Sequence, residues 1–346
     1  MKKITISILI PNFNHGHYLS LQLDSMINQN RKPDEIIIID DASTDNSVRI
    51  IQEYAAKHKF IKLFQNKENK GVEYNINKLI SHAKGDYIFL SAADDIILPE
   101  FLEEVEKAAF TYPDVGVISG IVRLIDEDGL DKGIRMMPLI STKKKFLNPS
   151  AVKKTLTRYG RWIQVSAMVL KREYVIMVGG QDVKIGSFAD NFLANIIALK
   201  YGAYFIPKEL GCWRKLDTGY GAVSGRNVEQ ILRQGIIISK RMEIKYQDFF
   251  DKIFISRFFM HWTYRISQNL GYLDYNQRKK LILSNDFEHL CKLARFSSIK
   301  KKIVKLILLN IDNSFINIFL FFPKMWGIRS RISVMVYLWA WKVKEF

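Results

Sequence analysis

Ser91-Ala92-Ala93-Asp94-Asp95 follows the apolar run Tyr87-Ile88-Phe89-Leu90 and precedes Ile96-Ile97-Leu98-Pro99. Such a stretch reads as a buried strand that opens into a turn. It sets two adjacent carboxylates, Asp94 and Asp95, at the C-terminal edge of a sheet, where open α/β folds bind their ligands. Carboxylates suit a hard divalent cation, and such a cation suits a diphosphate. An Asp-Asp pair is also an ordinary turn former, so it gains meaning only from company. The company is Pro11-Asn12-Phe13-Asn14 after a first apolar run and Asp40-Asp41-Ala42-Ser43-Thr44-Asp45 after a second. In the latter, Asp45 and Thr44 suit the N-cap region of a following helix. That leaves Asp41, ahead of the cap, as the ligand candidate. A further acid, Asp190, opens the segment that runs through Leu193, Ile196 and Ile197 to Tyr201-Gly202. In a first helical turn it is favoured by the helix dipole, which is a structural explanation by itself. With an ordinary aspartate pKa of about 3.9 it would also be ionised at neutral pH and able to accept a proton.

The elements that must position these groups alternate in type. Ile4–Ile10, Glu35–Ile39, Ile61–Phe64, Tyr87–Leu90 and Val115–Ser119 read as strands. Between them, Tyr18–Asn28 (with Leu19, Leu23, Met26 and Ile27), the stretch with Val48, Ile51, Tyr54 and Ala55, Glu73–Ala83 and Pro99–Phe110 read as helices. Strands joined by helices of this length require right-handed parallel crossovers, so the fold class is α/β with helices on both faces of a mostly parallel sheet. The polar turns then fall at successive strand ends along one edge, which is more specific than any one of them.

These residues resemble the family-2 glycosyltransferases of the GT-A fold, a Rossmann-like architecture. The likeness rests on Ile8-Leu9-Ile10-Pro11-Asn12-Phe13-Asn14, Ile38-Ile39-Asp40-Asp41-Ala42-Ser43-Thr44-Asp45, and Asn69-Lys70-Gly71 with Gly85-Asp86-Tyr87-Ile88, and spans residues 4 to about 217. The resemblance implies a nucleotide-sugar donor, with a UDP-sugar favoured, and a glycan or lipid-linked glycan acceptor. By similarity Pro11, Phe13 and Asp41 surround the nucleobase and Lys70 faces the diphosphate. Asp94, with Asp95 beside it, matches the last acid of the family's D-x-D motif and would hold manganese or magnesium. Ala92 replaces the first acid, so the cation is expected to be bridged by nucleotide rather than pre-bound. Asp190 matches the family's catalytic base. Gly211-Cys212-Trp213-Arg214-Lys215-Leu216 resembles an aromatic-Arg-x-His segment, in which Arg214 would approach the diphosphate in a bidentate manner and Leu216 stands where many members have His. Ser166–Leu170 resembles the strand lining the acceptor side.

The chain has 346 residues, 48% of them hydrophobic and 12% aromatic, which excludes disorder and allows more than one core. Residues 1–225 carry 30 Lys+Arg against 26 Asp+Glu, a balance of +4, whereas 226–346 carry 22 against 9, or +13. The expected division is therefore a catalytic domain over 1–225, with a nucleotide half to about 115 and an acceptor half beyond it, then a basic helical region over 226–346. In that region Asp312 and Lys305 make Ile303–Phe322 a poor membrane span, and Ile332–Trp341 is too short for one. Arg329, Arg331, Lys342 and Lys344 with Trp326, Trp339 and Trp341 suit an interfacial helix on an anionic membrane surface. The expected location is cytoplasmic, peripheral on the inner face of the cell membrane. Cys212 and Cys291 fit neither a disulfide framework nor a zinc site, and His15, His17 and His82 lack metal-ligand spacing. Two other readings stand beside an inverting transferase. One is a catalytically silent nucleotide-sugar-binding relative, motivated by Ala92 and Leu216. The other is a nucleic-acid binder, motivated by charge but without any recognised motif; no nucleic-acid partner is expected.

Overall fold

The computed structural model describes residues 3–295. In chain order its first part comprises β1 (Ile6–Asn12), α1 (Gly16–Ile27), β2 (Glu35–Asp40), α2 (Ser47–Lys57), β3 (Ile61–Gln65), α3 (Val72–His82), β4 (Tyr87–Leu90), β5 (Ile96–Ile97), α4 (Phe101–Thr111) and β6 (Val117–Ile125). There follow β7 (Asp131–Ile134), β8 (Lys145–Leu147), α5 (Pro149–Tyr159), β9 (Met168–Lys171), α6 (Arg172–Met177), α7 (Ala189–Tyr201) and β10 (Ala203–Arg214). The sheet runs β3-β2-β1-β4-β9-β6-β10-β5, with β7 alongside β6 and β8 alongside β10. Strands β1 to β4 are mutually parallel, and β6 is parallel to β10. The exception at the centre is β9, which lies between β4 and β6 and is antiparallel to both. The sheet is therefore mixed rather than wholly parallel, and β9 is the stretch expected to line the acceptor side.

Alternation decides which residues form the core. Ile6, Ile8 and Ile10 of β1 with Ile36 and Ile38 of β2 meet Leu19, Leu23 and Met26 of α1, Ile50 and Ile51 of α2, and Phe101, Leu102 and Val105 of α4. The intervening Leu9, Ile37 and Ile39 are equally buried, on the opposite face, where α3 lies against β1 and β2. A strand covered on both faces is why the centre of β2, residues 36–39, is an unbroken apolar run.

Two boundaries differ from expectation for physical reasons. Strand β1 continues through Pro11 to Asn12, opposite Ile39 and Asp40 of β2. The missing N–H of Pro11 points to the β4 side, where pairing stops at Leu9 and Leu90, so no ladder bond is lost. Strand β6 runs on past Ser119 through Gly120, because the Leu210 side chain fills the space there: a Cβ at Gly120 would lie 2.6 Å from Leu210 Cδ1.

Among the described residues the chain divides into two units, one of residues 3–136, 141–152 and 163–216 and the other of 137–140, 153–162 and 217–295. Helix α5 contributes to both. The described part of the second unit is helical: α8 (Tyr220–Arg226), α9 (Val228–Lys240), a π turn at Arg241–Lys245, α10 (Lys252–Asn269), α11 (Tyr275–Ile282) and α12 (Asn285–Leu293). Its core includes Ile231, Ile238, Phe259, Trp262, Phe287 and Leu290, and the Trp262 indole donates to the Ile231 carbonyl at 2.8 Å. Both cysteines are buried, and burial pushes the Cys212 thiol up to about 11. No helix among the described residues is long and apolar enough to cross a membrane. The apolar and tryptophan-bearing stretches from Ile303 to Trp341 lie outside the described residues.

Candidate active site

Because β2, β1 and β4 are parallel neighbours, the turns that follow them emerge at one edge of the sheet. The first two are tied together by side chains. Asp40, nearly fully buried, accepts from Asn12 Nδ2 at 2.8 Å and from Ser43 N at 3.0 Å. Ser43 Oγ accepts from Asn14 N at 2.9 Å, and Asn14 Oδ1 accepts from Thr44 N at 2.8 Å. This stitching holds Asn14 (φ 55°) and Ala42 (φ 62°) in the left-handed region. For Ala42, which has no polar side chain to compensate, that conformation costs about 1–2 kcal/mol. Asp45 and Thr44 do not cap α2 as expected. The N-cap is Asn46, without a side-chain bond; Asp45 accepts from Ser47 N at 2.9 Å and from Gly16 N of α1 at 2.9 Å. Asp45 therefore clamps two helix starts, and Thr44 is spent on Asn14.

Asp41 is 3% exposed. Its Oδ1 accepts from Asn66 Nδ2 at 2.8 Å and Lys70 N at 2.9 Å, and its Oδ2 from Gly71 N at 2.9 Å. Burial pushes its pKa up, but the donors of Lys70, Asn66, Asn75 and Gly71 outweigh burial and hold it below the usual aspartate value. Asp41 is thus the post on which the Asn69-Lys70-Gly71 loop hangs. The Lys70 ammonium pairs with Glu68. Pro11 is half-buried, and the Phe13 ring stands 42% exposed beside this edge. Asn66 and Asn75 were missed at the level of sequence. Asn66 directly follows β3, so the rule applied to the ends of β1, β2 and β4 would have found it.

The turn after β4 meets β10. Arg214, 2% exposed, donates through Nε to the Asp94 carbonyl at 3.0 Å and through Nη1 to the carbonyls of Asp126 (3.0 Å) and Glu127 (2.9 Å). Its guanidinium lies 4.7 Å from the centre of the Tyr18 ring on α1. Nη2 is buried and has no hydrogen-bond partner. A bidentate grip through Nη1 and Nη2 is therefore closed off, because Nη1 is committed to backbone, and Nη2 alone is left for a ligand. Trp213 packs against the sheet core, with Arg135 over its ring at 4.3 Å.

The two adjacent acids diverge. Asp95 is 4% exposed; it accepts from Arg214 N at 3.0 Å and from the side chain of Ser166. Burial and the Asp94 charge push its pKa upward. Asp94 is only half-buried; burial raises its pKa, opposed by the nearby charges of His15 and Arg214. A cation at Asp94 would relieve the cost of keeping that carboxylate charged. Asp95, through its bonds from Arg214 N and the Ser166 side chain, joins the turn to the sheet. Among the described residues no three His, Cys, Asp or Glu side chains gather as a metal set. Asp190 sits in the first turn of α7 and accepts the N–H of Asn191, whose amide donates to the Ile163 carbonyl at 3.3 Å.

A 3-2-1-4 parallel half joined to a mixed half, with the polar turns at one edge, is the GT-A architecture. Residues 7–171 match the model of Glycosyl transferase family 2. Its sequence is 35% identical over 136 residues to a putative glycosyltransferase, EpsE, of Bacillus subtilis, covering 39% of this chain and 49% of that protein. The chain thus spans about half the length of that relative. Its fold is similar to that of S. aureus TarS 1–349 in complex with UDP-GlcNAc, with a TM-score of 0.63 at 15% identity over 84% of this chain and 81% of TarS 1–349. It is also similar to a mannosyltransferase from Pyrobaculum calidifontis in complex with GDP-Man and Mn2+, with a TM-score of 0.52 at 16% identity over 98% of this chain and 88% of that one.

Proposed function

We propose that this chain is an inverting glycosyltransferase that moves one sugar from a nucleoside-diphosphate sugar, a UDP-sugar in preference to others, to a hydroxyl of a glycan or lipid-linked glycan acceptor. The observation that carries the reading is the convergence of the turns after β1, β2 and β4 at one edge, with Asp94 held there by Arg214. Pro11 and the exposed Phe13 ring would flank the base, and Asp41 would meet its edge together with the Lys70–Gly71 backbone that it holds. Arg214 Nη2 faces the diphosphate. A manganese or magnesium ion at Asp94 would offset charge on the departing diphosphate. Asp190 takes the acceptor proton, and the hydroxyl oxygen attacks the anomeric carbon from the side opposite the diphosphate. The new C–O bond forms as the bond to the diphosphate breaks, so configuration inverts and no covalent enzyme intermediate is required. The basic region beyond residue 225 would hold the enzyme at an anionic membrane surface on the cytoplasmic side, as suits a lipid-linked acceptor in cell-surface glycan assembly.

The test is Asp190→Asn, assayed for sugar transfer and, separately, for nucleotide-sugar affinity by calorimetry. Loss of a general base lowers transfer by about 10²–10⁴-fold, and donor affinity should stay within a few-fold because the carboxylate acts on the acceptor. Turnover near that of wild type would remove Asp190 from the mechanism. A wild-type chain that binds donor and never turns it over would favour the silent relative suggested by Ala92 and Leu216.

A further inference from the structure

Asn66 belongs to a run of side-chain hydrogen bonds that ends on the Asp41 carboxylate. It directly follows β3, and its N–H donates to the Asp40 carbonyl of β2 at 2.9 Å, which keeps it at the edge where Asp41 lies. Its amide oxygen accepts from Lys78 Nζ at 3.0 Å. A lysine ammonium only donates, so Oδ1 must face Lys78 and Nδ2 must face the other way. There Nδ2 donates to Asp41 Oδ1 at 2.8 Å and to Asn75 Oδ1 at 2.7 Å. Asn75 is buried on α3 and has its oxygen taken, so its own Nδ2 is left to donate to the Gly71 carbonyl at 2.9 Å. One cation thus sets the orientation of both amides.

The consequence falls on Asp41. An ionised carboxylate has about four acceptor positions, two on each oxygen. Oδ1 receives both Asn66 Nδ2 and Lys70 N and is filled, whereas Oδ2 receives Gly71 N. Asn75 lies near enough to favour the Asp41 charge, but its amide bonds to the Gly71 carbonyl. Among the described residues, therefore, one acceptor position is left on Asp41, and it is on Oδ2. Such a carboxylate can take a single N–H from a ligand. Uracil and thymine offer that, a lone ring N–H between two carbonyls. Guanine offers two adjacent N–H groups, which a carboxylate takes in parallel, one on each oxygen. With Oδ1 filled, the second of these would be left without an acceptor. Cytosine sets a ring-nitrogen acceptor beside its donor, and that lone pair would face the carboxylate.

We propose that Asn66 is a positioning residue that sets the nucleobase preference of the donor site: by filling Asp41 Oδ1 it leaves the carboxylate able to accept one N–H, which selects a uracil-type edge over guanine. The assignment rests on the reading of this edge as a nucleoside-diphosphate site with Asp41 at the base.

The experiment measures binding of UDP, CDP and GDP to the full chain by calorimetry with manganese present. Wild type should bind UDP at least about tenfold more tightly than GDP, because a buried donor left unpaired costs a factor of that order; this comparison needs no variant. In Asn66→Ala, Oδ1 regains an acceptor position and Asp41 loses a donor that fixes it. Affinity for UDP should fall by about tenfold, affinity for GDP should hold or rise, and the ratio between them should narrow. Lys78→Met leaves Asn66 in place without the cation that orients it, and should move the ratio the same way by a smaller factor, whether or not Asn66→Ala folds. A purely structural role for Asn66 would weaken all three nucleotides alike and leave the ratio where it was. Wild type that binds GDP as tightly as UDP, or a ratio unchanged in every variant that folds, overturns the Asn66 assignment and leaves the transferase reading standing. Wild type that binds none of the three nucleotides overturns both.

Discussion

Glu35 shows how one carboxylate can organise the sheet edge remote from the active site. Its Oε1 accepts from Ser7 Oγ at 2.7 Å and from Lys84 N at 2.6 Å, and its Oε2 pairs with Lys62 at 2.8 Å. Burial pushes its pKa up, but the bonds from Lys62, Lys84 and Ser7 prevail and hold it below its ordinary value. A carboxylate whose folded pKa lies below its unfolded pKa stabilises the fold fully above the unfolded value, and that stability is lost as pH falls through the folded one. Glu35→Gln should therefore unfold more easily than wild type at pH 7. The difference should shrink as pH drops below about 4.5, the ordinary glutamate value. Urea titrations at a series of pH values check this; a penalty that does not change with pH would mean that packing, not charge, holds the site. At the other edge the lesson of Arg214 is different. Its type and place were legible, but its bonds were not. The neighbouring Asp126 and Glu127 carbonyls belong to the turn between β6 and β7, far along the chain from Asp94.

At the scale of elements, the close approach of β10 to the turn at Val165–Ala167 decides how the mixed half is assembled. Gly211 pairs with Val122 of β6 and Ile97 of β5. A Cβ there would lie 2.2 Å from the Ser166 carbonyl oxygen. That oxygen is backbone and cannot swing aside, and Ser166 is also a partner of Asp95. Gly211→Ala should therefore push the turn and Asp95 apart and destabilise the fold by about 1–3 kcal/mol, the usual cost of overpacking. Gly221→Ala, where nothing lies within 4 Å of the added carbon, is the control and should stay within about 0.5 kcal/mol. Thermal and denaturant melts of both variants give the comparison. Equal stability of the two would show that the β10 backbone yields easily.

At the scale of the whole molecule, charge is the property that separates the two ends of the chain: +4 over residues 1–225 and +13 over 226–346. Each Lys or Arg that reaches an anionic bilayer contributes roughly 1 kcal/mol, so four or five give useful and reversible attachment. The full chain should sediment with anionic vesicles at low salt, stay behind with neutral ones, and detach as salt rises. Deletion from Lys324 onward, which removes Trp326, Trp339 and Trp341, should weaken sedimentation and leave nucleotide affinity unchanged. Equal behaviour with anionic and neutral vesicles would assign the basic region to packing or self-association instead.

The alternation of strands and helices, the identity of β1 to β4 and the gathering of Asp41 and Asp94 at one edge were determined by sequence alone. The physical reason is that these features are local: apolar period, helix length and the handedness of crossovers settle them without long-range detail. The family motifs lie in the same stretch for the same reason, since a turn after a strand must present its polar groups at the strand's end. What needed the tertiary structure depends on residues far apart in the chain. Strand β9 inserts antiparallel between β4 and β6 because a segment some 80 residues on returns to the centre of the sheet. Asp95 is tied to the sheet because β10, over a hundred residues later, offers it an amide. Gln22 of α1 donates to Ser91 Oγ because α1 packs beside β5, far along the chain. Spacing along a chain reports on neighbours within a helix or turn; only the packing of one element on another brings the Arg214 guanidinium of β10 to the turn at Asp94.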